Sequence, residues 1–374
     1  MNKRNVIILM IDGGRLDYAQ NSKIFSELKS NSVFLSQSIT YAPHTIAAMH
    51  AVFSGTYGNR TGTNSYWSTF QFKKEKFKTL TEYLHDENYY TYADVINQLV
   101  IPKQGFDEFI VHDEDNDDLI QRHKEIIQII KEKSNEKNFF LYLHYSNIHT
   151  GIKNEVLKKY NNYDEEFFKN YEKNETRNKK LFNHAEEYLK QILEKIKSSK
   201  LIDDSLIIIM SDHGVSQGEK FGERAYGAYC YDYTLRTFTY FLTRDFMANE
   251  IKQQTRTIDF MPTILDMLDI KLDNKFDKLD GCSLIPLFNG EKLKEKIAFS
   301  ETGNPLRENK PPKEPNTCSV RTSNWKLIYN LHNNTKELYN LEIDADENNN
   351  LIDTGLDIEE KLANELDRIR KKSN

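Results

Sequence analysis

The stretch "NVIILMIDGG", residues 5–14, sets the terms for the fold: six apolar residues from Val6 to Ile11, then an acid and two glycines. Such a run is too short for a membrane span or the apolar core of a signal peptide. It does not alternate, so it is expected to be a strand buried on both faces. "FFLYLHY" (139–145) and "SLIIIMS" (205–211) read the same way. Helical spacing lies between and after them. Residues 119–132 carry a broad apolar face, 164–198 space their large side chains helically, and 259–270 place a proline early, where a helix tolerates it. Strands alternating with helices predict an α/β sandwich around a parallel sheet.

Beyond residue 270 the texture changes. Residues 302–317 hold four of the eight prolines and are expected to be a loop. Short strand-like runs ("SVRT", "WKLIYN", "ELYNL") and a charged helix near 357–371 follow. The expectation is a catalytic domain over 1–270 with a small α+β subdomain, 271–374, packed on it.

With 374 residues, 38% hydrophobic, and 21 Tyr and 21 Phe, the chain can bury a sizeable core. A net charge of −6, with both signs mixed along the chain, gives no nucleic-acid or membrane-surface footprint. Cys230, Cys282 and Cys318 are too few and scattered for a disulfide framework or a zinc cluster, so a reduced, cytoplasmic setting is expected.

Ligands of open parallel sheets gather at the carboxyl ends of the strands. The first strand delivers Asp12 there, and the third delivers Asp212 and His213. Each alone reads as a turn former. Together they offer hard oxygens and a nitrogen to a divalent cation. In "APHTIAAMH" (42–50), Thr45 opens a helix, by default as its N-cap. The same position sets its hydroxyl in the positive field of a helix start, and a cation on it would make it a nucleophile.

Taken in order, "NVIILMIDGGRLD", "APHTIAAMHAVFSGTYGNRTG", "SDHG" with "GEKFG", "TRTIDFMPTILDMLDI", "LDGCSLIPLFNG", "SVRTSNWKLIYN" and "ELYNLEIDADENNNL" resemble the alkaline phosphatase/sulfatase superfamily over almost the whole chain. The resemblance implies an alkaline-phosphatase-like three-layer sandwich with a mostly parallel central sheet, a small C-terminal α+β subdomain and a metal-dependent hydrolase. Thr45, ten positions before Gly55, falls where the family has its nucleophile. Sulfatases convert a Cys or Ser there to formylglycine, which threonine cannot become, and Ala47 and Met49 replace the proline and arginine of their C-x-P-x-R signature. Phosphatase and phosphodiesterase branches use an unmodified Ser or Thr, so the resemblance implies phosphorus chemistry through a phosphothreonine.

Gly13 stands where sulfatases commonly have a second aspartate, and "HYSNIHTG" lacks the Asp-x-x-x-His spacing of two-metal members. Lys220 or Tyr226 occupies the place of a late metal histidine. One ion, held by Asp12, Thr45, Asp212 and His213, is therefore implied, and its ligands would suit Mn, Mg, Ca or Zn. By their positions, His149 and Lys220 are implied to bind the transferred group or protonate the leaving group. Arg15, Arg60, Asn64 and Lys326 are substrate-binding candidates, each with an ordinary alternative. Arg15, like Arg321, matches a family position but can brace loops through carboxylates; Arg60 can replace Met49 or lie in solvent. Asn64 can simply form a turn, and Lys326 can lie along its strand. His44 and His50 read as packing residues near the site.

The expected function is hydrolysis of a phosphodiester or phosphonate ester on a small molecule or glycan. Three alternatives stand beside it: phosphoryl transfer to a sugar or glycerol hydroxyl, sulfate ester hydrolysis, and a non-catalytic binding module. The last would explain Gly13 and Met49, but not Asp12, Asp212 and His213 surviving together.

Overall fold

A computed structural model, describing residues 4–308 and 310–371, sets the three apolar runs side by side. Numbered along the chain, the strands of the main sheet are β1 (Asn5–Ile11), β2 (Val33–Ile39), β3 (Tyr90–Val95), β4 (Glu108–Val111), β5 (Phe139–Tyr145), β6 (Ser205–Ser211), β7 (Arg236–Leu242), β8 (Asn249–Ile251) and β9 (Thr255–Arg256). Their order is β4-β3-β5-β1-β6-β7-β2-β8, with β9 also on β2. β1 runs parallel between β5 and β6, and Ile11 pairs with both Tyr145 and Ser211. The three strands therefore end level. β7 is antiparallel to both β6 and β2, so the sheet is mixed but mostly parallel.

Alternate residues of β1 enter different cores. Ile7, Leu9 and Ile11 pack with the helices Leu119–Lys133 and Tyr171–Ser198, while Val6, Ile8 and Met10 pack with Thr45–Ser54 and Phe260–Met267. Two covered faces are what an unbroken apolar strand requires. The predicted helix over 119–132 is Leu119–Lys133, capped by the Asp118 carboxylate on the Ile120 and Gln121 amides. The stretch 164–198 divides into Glu165–Lys169 and Tyr171–Ser198. The last predicted helix of the main domain is shorter than 259–270: it spans Phe260–Met267 behind a 3₁₀ turn, Thr257–Asp259, with Pro262 as its third residue.

The C-terminal part forms a separate antiparallel sheet of β10 (Ala298–Thr302), β11 (Thr317–Arg321), β12 (Trp325–Asn330) and β13 (Thr335–Asn340), in that order. Leu362, Leu366 and Ile369 of the helix Asp357–Lys371 pack in the same cluster as Val320 and Leu327. The Pro-rich stretch is the connection between β10 and β11, and its Asn309 lies outside the described residues. Leu284, Leu287 and Phe288 bury into the core of the main sheet. All three cysteines are free thiols. Among the described residues, no helix is long and apolar enough to cross a membrane.

The two sheets are joined by buried polar contacts. Asp232, ahead of β7, pairs with Arg321 (2.8 Å) and Lys326 (2.9 Å), and Lys326 also reaches Glu347 (2.8 Å). Tyr41 donates its hydroxyl to Glu301 Oε1 (2.5 Å), and the Glu301 amide donates back to the Tyr41 carbonyl (3.0 Å). Burial above all pushes the Glu301 carboxyl up to about 7. The folded state then holds that proton more tightly than the unfolded chain, whose glutamate titrates near ~4.3, so stability falls as pH rises between the two values. Glu301→Gln keeps the acceptor for Tyr41 and removes the charge. The variant should melt about 2 °C or more above wild type at pH 8, with the difference shrinking at pH 5. An equal difference at both pH values would refute this account.

Candidate active site

Because β1, β5 and β6 end level, the residues that follow them share one space. The Asp12 amide donates to the Tyr145 carbonyl (3.0 Å), which ties the first turn to β5. Asp212 Oδ1 accepts from the amides of Gly13 (3.1 Å) and His213 (2.9 Å). Gly13 makes this turn at φ +73°, and a Cβ on it would stand 3.1 Å from Val215 Cγ1. His213 Nδ1 lies 2.8 Å from the Gly214 carbonyl, so that nitrogen carries the proton and Nε2 presents a lone pair. His213 Nε2 is 3.4 Å from Asp212 Oδ2, 3.7 Å from Asp12 Oδ1 and 3.4 Å from Thr45 Oγ1. Thr45 Oγ1 is in turn 3.4 Å from Asp12 Oδ2. Asp12, Asp212 and His213 are at most 1% exposed, and Thr45 is 8% exposed.

The reading of Thr45 as an N-cap is corrected. His44 is the cap residue, extended at φ −157° and ψ 146° and making no side-chain cap bond, and Thr45 is the first residue of the helix Thr45–Ser54. Its hydroxyl is turned towards Asp12 and His213 instead of its own helix amides. Met49, where sulfatases place an arginine, is buried in the core under the sheet.

Asp12 Oδ1 and Asp212 Oδ2 are buried and accept no hydrogen bond. Bare carboxylate oxygens out of water are costly unless a cation meets them. Burial pushes Asp212 up, whereas at Asp12 the upward push of burial is outweighed by His149, His144 and His213, which hold it well below the ordinary carboxylate range. Ligands of one divalent ion, bound at about 2.1–2.5 Å, stand about 3–4 Å apart. The 3.4–3.7 Å separations around His213 Nε2 meet that condition. Asp12, Asp212, His213 and the Thr45 hydroxyl could hold such an ion.

The structure adds groups that the sequence hid. His144 Nε2 is 3.0 Å from Asp12 Oδ2, and the only signal for it was a histidine near the end of an otherwise apolar strand. His149 lies beside the cluster, with Nδ1 3.8 Å from Asp12 Oδ2 and 3.1 Å from the Tyr226 hydroxyl, and its side chain is 26% exposed. Tyr226 lies 4.7 Å from the His213 ring, and Tyr66 stacks on His44 at 4.1 Å. His50 instead meets the Leu99 carbonyl (3.1 Å).

The other predicted residues are engaged elsewhere. Lys220 bonds the Glu347 carbonyl and Asn348 Oδ1, with its ammonium over the Tyr231 ring. Arg15 pairs with Asp17 and Glu219, and Arg60 with Asp280. Lys326 and Arg321 belong to the Asp232 cluster. Asn64 precedes the turn at Tyr66 and Trp67, its backbone amide donating to Ser68 Oγ.

The Sulfatase family model matches residues 4–270, and that of the N-sulphoglucosamine sulphohydrolase C-terminal region matches residues 239–372. A choline-sulfatase of Rhizobium meliloti is 24% identical over 174 residues, which is 45% of this chain but only 31% of that protein. The match thus spans about a third of the curated relative. Among solved structures, the phosphonate monoester hydrolase of Agrobacterium radiobacter superposes with a TM-score of 0.77 at 13% identity, covering 100% of this chain and 96% of that one. A protein solved with its substrate D-glucosamine-2-N,6-O-disulfate gives 0.77 at 16% identity, covering 100% and 98%. Members of this superfamily generally bind a divalent metal ion. The first model alone covers well over half of the chain: the protein is a member of the sulfatase family, within the alkaline phosphatase/sulfatase superfamily.

Proposed function

We propose that this family member hydrolyses phosphodiesters or phosphonate esters, with Thr45 as nucleophile. One observation carries the reading. An unmodified threonine hydroxyl, at a helix start, stands 3.4 Å from both Asp12 Oδ2 and His213 Nε2 in a buried metal-capable cluster. When bound, a divalent ion there supplies the positive charge that lowers the hydroxyl's pKa and offsets charge on the ester oxygens. Thr45 Oγ1 releases its proton to solvent and forms a bond to phosphorus as the bond to the leaving oxygen breaks. His149 is the partly exposed imidazole of the cluster and hands the leaving oxygen its proton. Water then attacks phosphorus and gives a proton to His149 as the bond to Thr45 breaks, and the Thr45 oxygen regains its proton from solvent.

Charge supports an ester bearing one negative charge. Arg15, Arg60, Lys220 and Lys326, the cationic side chains that could have met a dianion, are committed to other partners. Phosphodiesters, phosphonate monoesters and sulfate monoesters are monoanionic at neutral pH; phosphate monoesters are largely dianionic. A sulfate ester is the second reading, favoured by the matched choline-sulfatase and the protein solved with a disulfated sugar. Glycan-linked substrates are compatible with either reading.

On a panel of aryl esters, turnover should be highest for the phosphodiester or the phosphonate monoester. Preference for the sulfate would move the assignment to the second reading. Thr45→Ala should lose turnover by about 10⁴-fold or more, while Thr45→Ser keeps measurable rate. Acid-quenched wild-type enzyme should carry a phosphoryl group on Thr45 by mass spectrometry. Transfer of that group to added glycerol would instead identify a transferase.

Asp212→Asn should weaken divalent-metal binding by about 100-fold, read by calorimetry, and should abolish the rise in Tm that metal gives wild type. Unchanged metal affinity in this variant would overturn the ligand set.

A further inference from the structure

A second buried polar cluster lies along the same edge of the sheet, two strands away from Asp12. The strand order β4-β3-β5-β1 sets the ends of β4, β3 and β5 next to one another. They carry His112, Asp94 and Ser146, which are 3%, 0% and 0% exposed. His112 Nδ1 is 2.6 Å from Asp94 Oδ1, and His112 Nε2 is 2.9 Å from Ser146 Oγ. His123 Nε2 is 3.2 Å from the same Asp94 oxygen, and its Nδ1 is 2.7 Å from the Tyr188 hydroxyl. Arg122 covers Asp94 Oδ2 through Nε (2.8 Å) and Nη2 (2.7 Å).

Two histidines and an aspartate could suggest a metal site, but the distances argue against it. A separation of 2.6 Å between Asp94 and His112 is a hydrogen bond, shorter than the ~3 Å expected between two ligands of one ion. Every side-chain nitrogen and oxygen of Asp94, His112 and His123 has a partner, unlike the bare oxygens of Asp12 and Asp212. One set of protons satisfies the cluster: both histidines donate to Asp94, and their other nitrogens accept from Ser146 and Tyr188. Arg122 balances the carboxylate charge.

Ser146 is the N-cap residue of the helix Asn147–Ile152, yet its hydroxyl makes no cap bond. A serine at this position ordinarily bonds the amides of its own helix. Here the hydroxyl is held by His112, while the Ser146 carbonyl accepts the first helical bond, from the Thr150 amide (2.9 Å). Three residues on, the same helix carries His149 to Asp12 and Tyr226.

We propose that Asp94, His112 and Ser146 form a positioning relay that fixes the start of the helix Asn147–Ile152 and thereby holds His149 in register with Thr45. The proposal rests on the role given to His149 above. Asp94 is anchored by Arg122 and His123, His112 passes that anchorage to Ser146, and Ser146 sets the first turn. These are positioning residues, since none of them touches the reacting atoms.

The test compares Ser146→Ala, His112→Ala, the double variant and the conservative His112→Gln by hydrogen exchange, steady-state kinetics and metal content. In Ser146→Ala and His112→Ala alike, amides 150–152 should exchange about ten-fold faster while those of β1 and β6 stay protected. On an ester that wild type turns over, kcat should fall about ten-fold with KM and bound metal unchanged. The double variant should match the single ones, and His112→Gln should recover part of the loss.

An ordinary capping role for Ser146 would leave exchange in His112→Ala unaltered, and that result would overturn the relay. So would additive effects, faster exchange spread across the whole sheet, or a second bound ion per chain that disappears in His112→Ala. Loosened exchange with unchanged kcat would overturn the link to His149. If wild type turns over no ester while exchange responds as stated, the functional reading fails and the relay stands.

Discussion

Two carboxylates at the ends of neighbouring parallel strands, both out of water and both facing one imidazole nitrogen, are the constraint around which this molecule is arranged. Like charges so placed repel strongly in a low-dielectric interior. The protein meets part of that repulsion through backbone and imidazole. Two amides converge on Asp212 Oδ1, and His144 and His149 lean on Asp12 Oδ2. The remaining oxygens, Asp12 Oδ1 and Asp212 Oδ2, lie 3.7 and 3.4 Å from His213 Nε2, where a cation would complete the balance. The level ends of β1, β5 and β6 make this geometry rigid, because moving one carboxylate means sliding a strand through a core packed on both faces.

The small C-terminal sheet contributes to the same rigidity from a distance. Arg321 and Lys326, on β11 and β12, grip Asp232. Two residues on from Asp232, the Thr234 carbonyl accepts the amide of Gly214, the residue after His213 (2.8 Å). An ion cluster in the second sheet is thus one hydrogen bond removed from the metal-capable turn. Arg321, at a position that matches the family, and Lys326 thus brace the segment whose Thr234 carbonyl meets the turn after His213.

The legible parts of the sequence were those in which one residue's surroundings lie next to it along the chain. β1, β5 and β6 announced themselves because both of their faces are apolar, and Asp12, Asp212 and His213 stood out as polar groups ending such runs. β2, β3 and β7 gave no such signal, since they bury Ser36, Ser38, Asp94, Thr237 and Thr239 inside the sheet. His144 was masked by its apolar neighbours, and Asp94 and His112 are 18 positions apart, so only strand order reveals them as partners. Lys220 is a different case, with its ammonium on the Glu347 carbonyl and Asn348 Oδ1. A count of residues after Asp212 cannot tell which way a loop turns, and left-handed glycines at 218 (φ +103°) and 222 (φ +101°) carry this one towards Glu347.

Gly13 limits the charge of the cleft as well as shaping its turn. Its φ of +73° and the 3.1 Å approach of Val215 Cγ1 leave a side chain there both strained and crowded. A second acidic ligand at this position would have to adopt that backbone and push Val215 back by a few tenths of an ångström. The charge of the cleft is thus guarded in part by an aliphatic side chain that carries none: Val215 leaves room for a glycine turn after β1 and crowds an acid there.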